Sequence, residues 1–335
     1  MKAVVVTGDD PGSLAIAEVP RPVPGAGEVL LRVAASGVNF ADTRRRAEPG
    51  AAQPVVPGSE PAGVVVELGP NAAAAAPDRA GLAVGTRVLA TFAPGSYAEY
   101  VTAPAHVLHR VPEGKSLTEA AAFPINFLTA WFTVHHRAQV EAGQTVLVHA
   151  AGGGVGSAAV QLAKRAGCVV IAVASSEAKL ALARSLGADH AIASGPGFAN
   201  EVRALLGEPR PVDVVLDSVG GEVLVESLDL LRPWGRYVGY GQAGGTPATI
   251  DAYRAAIPFH LELRFVALRS LLLSADPGDR ELLRQAMAHL LELWAAGAIR
   301  PGQVEVLEMD RAADAHDRLK ARAVPGKLVL RTGTE

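Results

Sequence analysis

VLVHAAGGGVGSAAVQLAKRAG, residues 146–167, is the stretch that decides the fold. Val146–His149 is an apolar, largely β-branched run that reads as a buried strand. Val155–Arg165 then carries small and apolar residues at helical spacing, and Gly167 fits its C-cap. Between them stand three consecutive glycines. Glycine costs backbone entropy, so the run marks a place where side chains would obstruct something. The spacing fits G-x-G-x-x-G with Ala151 at the first position and Gly153 and Gly156 at the other two. In a strand–turn–helix context such a loop lets bare amides and the positive end of a helix approach a pyrophosphate. Ala151, Gly153, Gly154, Val155 and Gly156 are therefore the expected cofactor-binding residues. The alternative is a tight turn that packs a helix on a strand and binds nothing.

Working outward, strand and helix alternate at short spacing. Val169–Ala174, Ala191–Ile192, Val212–Asp217 and Arg236–Gly239 read as strands. Glu177–Leu186, Ala199–Leu206 and Gly221–Leu231 read as helices. That pattern predicts a doubly wound parallel sheet, an α/β fold. The first third differs: Lys2–Thr7, Gly63–Leu68, Arg87–Phe92 and Tyr97–Val101 look like strands of a mostly antiparallel unit, and Asn71–Ala80 like an exposed low-complexity loop. Near the end come two amphipathic helices, Asp279–Ala296 and Arg311–Arg322, and a closing strand, Lys327–Arg331. The nucleotide-type domain, 124–255, is thus expected as an insertion in a discontinuous domain made of 1–123 and 256–335.

Composition narrows the function classes. The chain has 335 residues, 49% of them apolar, and a formal charge of −3. It has no basic block beyond Arg44–Arg46, which reads as a solvated face, so nucleic acid is not an expected partner. No apolar run reaches the length of a membrane span. The opening MKAVVVTGDD reads as a first strand, not a signal peptide. Cys168 is the single cysteine, which excludes an intramolecular disulfide and fits a cytoplasmic protein. His135 and His136 are neighbours on an expected helix and do not share a face.

The end of the second strand reports on the cofactor. A site selective for NAD places Asp or Glu there for the ribose hydroxyls. Here the sequence is AVASSEAKL: Ala174, Ser175 and Ser176 replace the acid and Lys179 follows one turn later. Hydroxyls and an ammonium would welcome a phosphate dianion that a carboxylate would repel. Ser175, Ser176 and Lys179 therefore point to NADPH, with Glu177 as the discordant neighbour; Ser175 or Ser176 also suits a helix cap.

SGVNFADTRRR, VPGSEPAGVVVELG, SYAEYV, PINFLTAW, the glycine stretch, SLGADHAI, VDVVLDSVGG and AAxAHxxL…GKLVL follow one another in this order. Together they resemble the medium-chain dehydrogenase/reductase superfamily, and within it the zinc-free quinone oxidoreductases of the zeta-crystallin type. The resemblance implies a GroES-like β catalytic domain with an inserted Rossmann domain, a cofactor cleft between them, and a homodimer or tetramer built through the Rossmann domains. It places Asn39 and Thr129 near the nicotinamide as catalytic or positioning residues. It puts Asp217–Gly221, with Val219, beside the cofactor, together with Tyr240, Gly241 and Lys327. Asn39 could equally stabilise a turn, Thr129 bond its own helix backbone, and Lys327 be solvated. Asp42 and Arg46 fit a structural ion pair under the site. Zinc-dependent relatives carry Cys at the position of Asn39 and His at that of Ser59, so no zinc is expected. Two departures stand out: Glu48 replaces a Gly and no Tyr follows it in the loop to Gln53, and ASGPGF replaces a Tyr or Arg near the ribose phosphate. The expected function is hydride transfer from NADPH to a quinone or α,β-unsaturated carbonyl. The alternatives are an enoyl-thioester or biosynthetic enone reductase, and an NADPH-binding protein with little catalysis.

Overall fold

The computed structural model describes residues 1–7, 13–45, 55–75, 82–247 and 249–333. The chain divides into two compact units. One comprises Met1–Ile125 and Met287–Glu335, the other Asn126–Ala286.

The first unit opens with a two-stranded antiparallel ribbon, β1 (Lys2–Val6) and β2 (Leu14–Glu18). It continues through β3 (Glu28–Gly37), β4 (Glu60–Leu68), β5 (Arg87–Ala90), β6 (Tyr100–Pro104) and β7 (Leu108–Arg110). The second unit holds β8 (Thr145–His149), β9 (Val169–Ala174), β10 (His190–Ala193), β11 (Val212–Asp217), β12 (Leu231–Gly239) and β13 (Glu262–Phe265). The chain then returns to the first unit with β14 (Val304–Glu308) and β15 (Lys327–Arg331). These two complete a seven-stranded sheet ordered β14-β15-β3-β4-β5-β7, with β6 paired to β3. Its pairings are antiparallel except β14 with β15. Apolar residues of β3, β4 and β5, such as Leu31, Val65 and Val88, pack in one buried cluster.

The second unit's sheet is parallel throughout, ordered β10-β9-β8-β11-β12-β13. Strand β8 pairs with β9 on one side and β11 on the other, so the direction of winding reverses there. Ligands of open α/β sheets bind outside the carboxyl ends of the strands at such a switch. The fold is α/β, a Rossmann-type domain inserted in a mostly β domain of the GroES-like kind. Among the described residues no helix is long and apolar enough to cross a membrane.

Four elements differ from their sequence expectation. The strand expected at Tyr97 starts at Tyr100, because the backbone of Tyr97 bonds Pro57 and Val4 and its ring is fully buried. The helix expected over Gly221–Leu231 runs only Glu222–Leu228, and Leu231 already belongs to β12. Pro233 cannot extend a helix, and Trp234 turns through φ +66° in the irregular pairing that follows. The Asn71–Ala80 loop contains a helical turn, Ala72–Ala75, whose first residue is buried; residues 76–81 lie outside the described set. Finally, the expected boundary at 255 falls inside the second unit. Strand β13 adds in parallel to β12, and the unit runs on to Ala286.

Candidate functional site

In the second unit the glycine run forms the turn between β8 and the Gly154–Arg165 helix, with Gly153 as N-cap in an extended conformation. The four glycines do different work. A Cβ on Gly156 would stand 2.3 Å from the Ala150 carbonyl oxygen. One on Gly154 would meet the Asn126 amide at 2.7 Å, and one on Gly152 the Lys179 Cβ at 2.4 Å. These three let helices close on the turn. Gly153 is different: its nearest neighbour would be the Ala150 oxygen at 3.3 Å. The absent side chain there leaves room over the helix terminus, where the first-turn amides of Gly154, Val155 and Gly156 lack intrahelical acceptors. Ala151 is buried and ties the turn to β9 through its N–H to the Val173 carbonyl.

At the carboxyl end of β9, the Lys179 Nζ donates to Ser175 Oγ at 3.3 Å. Lys179 is largely buried, its stem lying on Gly152, while Ser175 and Ser176 are exposed. Ser176 is the N-cap of the Glu177–Ser185 helix by position, yet its side chain makes no capping bond. The discordant Glu177 is occupied by Arg184 at 2.5 Å. Hydroxyls and an ammonium thus stand at the carboxyl end of β9, and the neighbouring carboxylate is paired.

The loops after β11 and β12 are organised by Asp217, which is fully buried. Its carboxylate accepts the N–H of Val219 at 2.6 Å, that of Gly220 at 3.1 Å and the Tyr237 hydroxyl at 2.7 Å. Burial, with Asp217 beside it, pushes the Tyr237 phenol far above its usual value; burial does the same to Tyr240. The turn needs φ of +70° and +62° at Gly220 and Gly221, a region open to glycine. The Tyr240 N–H returns to the Asp217 carbonyl, and Gly241 packs on Ser218. Val219, Tyr240 and Gly241 therefore share one rigid loop pair at the carboxyl end of the sheet. Thr129 lies buried on the Pro124–Trp131 helix, and its carbonyl accepts the Thr133 hydroxyl at 2.7 Å, inside the π-helical turn Phe132–Arg137.

The first unit holds a second polar cluster, closed to solvent. Lys327, at the start of β15, donates to Asn39 Oδ1 at 2.6 Å and to Glu60 Oε2 at 2.8 Å. Asn39 Nδ2 donates to the same Glu60 oxygen at 2.9 Å, and Glu60 Oε1 accepts the Ile125 N–H at 2.6 Å. Lys327 is 5% exposed, Glu60 0% and Asn39 9%. The Asn39 N–H donates to Asp42 Oδ2 at 2.9 Å. That carboxylate also meets the Tyr97 hydroxyl at 3.4 Å, which lies 3.2 Å from His316 Nε2. Burial and Asp42 push the Tyr97 phenol well up, so it stays a neutral donor. Arg46, the expected partner of Asp42, and the Glu48–Gln53 loop lie outside the described residues.

These donors do not suit zinc, which takes thiolate, imidazole and carboxylate in a tetrahedral set. Around Asn39 the candidate oxygens, Asn39 Oδ1 and Glu60 Oε2, already bind an ammonium. Cys168 lies in the other unit, between a helix and a strand, and burial raises its thiol. Among the described residues no three His, Cys, Asp or Glu side chains form a metal-holding group.

Sequence reasoning did not single out Glu60, Tyr97 or His316, which the fold brings into this cluster. The available signal was the charged Glu60 at the head of the apolar run PAGVVV. Nothing local pairs it with a lysine 267 positions away. Lys327, expected toward the cofactor, is found bonded to Asn39 and Glu60 within its own unit.

The architecture defines a two-unit α/β protein with a Rossmann-type domain inserted into a GroES-like one. A family model described as an alcohol dehydrogenase GroES-like domain matches residues 25–113, and one described as a zinc-binding dehydrogenase matches residues 154–277. A mycobacterial protein, Rv1454c, solved in complex with NADPH, is 33% identical with a TM-score of 0.87, over 99% of each chain. The quinone oxidoreductase of Pseudomonas syringae is 30% identical with a TM-score of 0.85, over 98% of this chain and 99% of its own. A 2-haloacrylate reductase from a Burkholderia species is 33% identical over 98% of both chains. The chain belongs to the medium-chain dehydrogenase/reductase superfamily.

Proposed function

We propose that the protein is an NADPH-dependent reductase that passes hydride to a quinone or another α,β-unsaturated carbonyl without zinc. The observation that carries the reading is the open turn at Gly153 with the Lys179–Ser175 pair at the end of the neighbouring strand. In this reading the amides of Gly154, Val155 and Gly156 hold a pyrophosphate, and Ser175, Ser176 and Lys179 take a ribose phosphate. NADPH bound there supplies the hydride. Val219, Tyr240 and Gly241 are assigned to its path along the strand ends, and Thr129 to its carboxamide. The NADPH complex of the mycobacterial relative supports the choice of cofactor.

Conjugated acceptors fit the rest of the chemistry. A simple ketone needs a Lewis acid or a strong proton donor, whereas conjugation spreads the arriving negative charge onto an oxygen that one oriented donor can stabilise. Asn39 is that donor in this reading. The likeness to a 2-haloacrylate reductase supports activated acrylates as members of the same acceptor class, and enoyl thioesters remain the alternative. Strand β13 ends the parallel sheet, and Phe265 on it is largely exposed, which supports a homodimer through this unit.

The test is an acceptor panel run with NADPH and NADH side by side, with and without EDTA. Turnover of a quinone or enone that EDTA leaves intact is expected, and Lys179→Ala should weaken NADPH far more than NADH. NADPH binding with no turnover of any acceptor would leave a binding protein instead.

A further inference from the structure

We infer that Lys327 and Glu60 act on the reaction through Asn39: this buried pair aims one N–H of the Asn39 amide as the donor to the oxygen that gains charge, and the lysine strengthens it. The inference rests on the reductase reading above and assigns roles within it.

A carboxamide offers two N–H groups and one carbonyl oxygen, and its two ends are normally hard to tell apart. Here charge decides. The Asn39 oxygen faces an ammonium and its nitrogen faces a carboxylate. A flip would set oxygen against carboxylate and NH2 against ammonium, losing both bonds and adding two repulsions. The backbone of Asn39 is held as well, through Asp42, which takes the Tyr97 hydroxyl. One N–H on Nδ2 is left for another acceptor, since the other goes to Glu60. The cation on the amide oxygen draws density from nitrogen and makes that N–H a better donor.

Stability alone does not call for this arrangement. Burying an ion pair costs desolvation that a well-packed apolar pair avoids. Lys327 and Glu60 are almost wholly buried, and both touch Asn39, the residue that the reductase reading assigns as the donor. Lys327 and Glu60 are positioning residues; neither is needed to touch substrate or cofactor.

The experiment compares wild type with Lys327→Gln, the charge-neutral double variant Glu60→Gln/Lys327→Met, Asn39→Ala, and the triple combination. Each is measured for melting temperature, NADPH affinity by fluorescence, and kcat and KM on a benzoquinone and on a simple cyclic enone. NADPH affinity should stay within about 2-fold of wild type. The kcat of the double variant should fall about 100-fold on the enone, the scale of losing one oxyanion donor. It should fall only about 10-fold on the quinone, whose product anion is less basic and leans less on the donor. The triple variant should be no slower than Asn39→Ala, because residues acting as a unit do not add. Lys327→Gln, which keeps a donor toward Asn39 Oδ1, should fall between wild type and double, and it decides the matter if the double fails to fold. Variants that fold and bind NADPH yet keep wild-type kcat on both acceptors would overturn the role of Lys327 and Glu60 alone. So would losses that simply multiply with that of Asn39→Ala. Wild type that binds NADPH and reduces neither acceptor would overturn the reductase reading and this inference with it.

Discussion

The turn at Gly153 and the cluster at Asn39 solve the same problem, placing polar groups accurately, by opposite means. The turn uses backbone: contiguous residues, missing side chains, amides exposed by the start of a helix. The cluster uses side chains from three segments far apart in the chain, residues 39, 60 and 327, joined through one carboxylate oxygen. Backbone geometry is set by local sequence and tolerates only small residues. Side-chain geometry is set by charge pairing and tolerates only complementary replacements. The two regions should therefore fail differently.

The sharpest break comes in the cluster. Lys327→Met strands a buried carboxylate and should cost about 3–5 kcal/mol, read as a drop in denaturation midpoint. Adding Glu60→Gln removes the stranded charge and should restore most of that loss. If single and double variants are equally unstable, the ion pair is not what holds this region.

The turn offers a matched contrast at smaller scale. Gly156→Ala drives a Cβ into the Ala150 oxygen and should cost about 2–3 kcal/mol by overpacking. Gly153→Ala brings a Cβ only to 3.3 Å from that oxygen, a contact that a shift of a few tenths of an ångström relieves, so it should cost clearly less melting temperature than Gly156→Ala while weakening NADPH about tenfold, roughly 1.4 kcal/mol. Equal thermal losses at the two positions would mean that the opening over Gly153 is not a cradle. At the edge of the same unit, the proposed dimer predicts that wild type runs as a dimer by light scattering and Phe265→Asp on β13 as a monomer, with NADPH affinity unchanged; an unaltered mass would place the contact elsewhere.

This contrast also explains what could be read from sequence. The strand–glycine–helix passage was legible because every residue that shapes it is a neighbour, and Val212–Asp217 and Lys327–Arg331 fall where their apolar patterns put them. The Ser175–Lys179 pair was legible for the same reason: the two residues are one helical turn apart. The Lys327–Glu60–Asn39 cluster was not, since hydrophobic periodicity says nothing of which buried charges meet across a sheet. Asn39 and Lys327 were each singled out, the lysine as either near the cofactor or solvated, but their common partner Glu60 was not. Strand β13 was missed because it is only four residues long, ELRF, with two charged residues and no β-branched one, although the stretch it pairs with, Arg236–Gly239, was itself legible.

The smallest effect lies beneath the turn and concerns pH. His149 ends β8, is buried, and its Nε2 lies 2.8 Å from Ser227 Oγ. Ser227 donates to the Val223 carbonyl, so it accepts the imidazole N–H. Burial lowers the His149 pKa from 6.5, with Asp217 opposing only in part. Above that value histidine is neutral in folded and unfolded chains alike and makes no difference to stability with pH. Below it the unfolded chain takes up a proton that the folded chain refuses, so stability falls as pH drops from 6.5 toward the depressed folded value. The slope in that window is at most about 1.4 kcal/mol per pH unit. His149→Gln keeps a donor toward Ser227 and cannot titrate. Its stability deficit against wild type, measured by urea unfolding, should narrow between pH 7 and pH 5.5, while all other titrations cancel in the difference. A deficit that stays constant over this range would show that His149 protonates as readily in the fold as outside it, and the turn would then rest on a charged base.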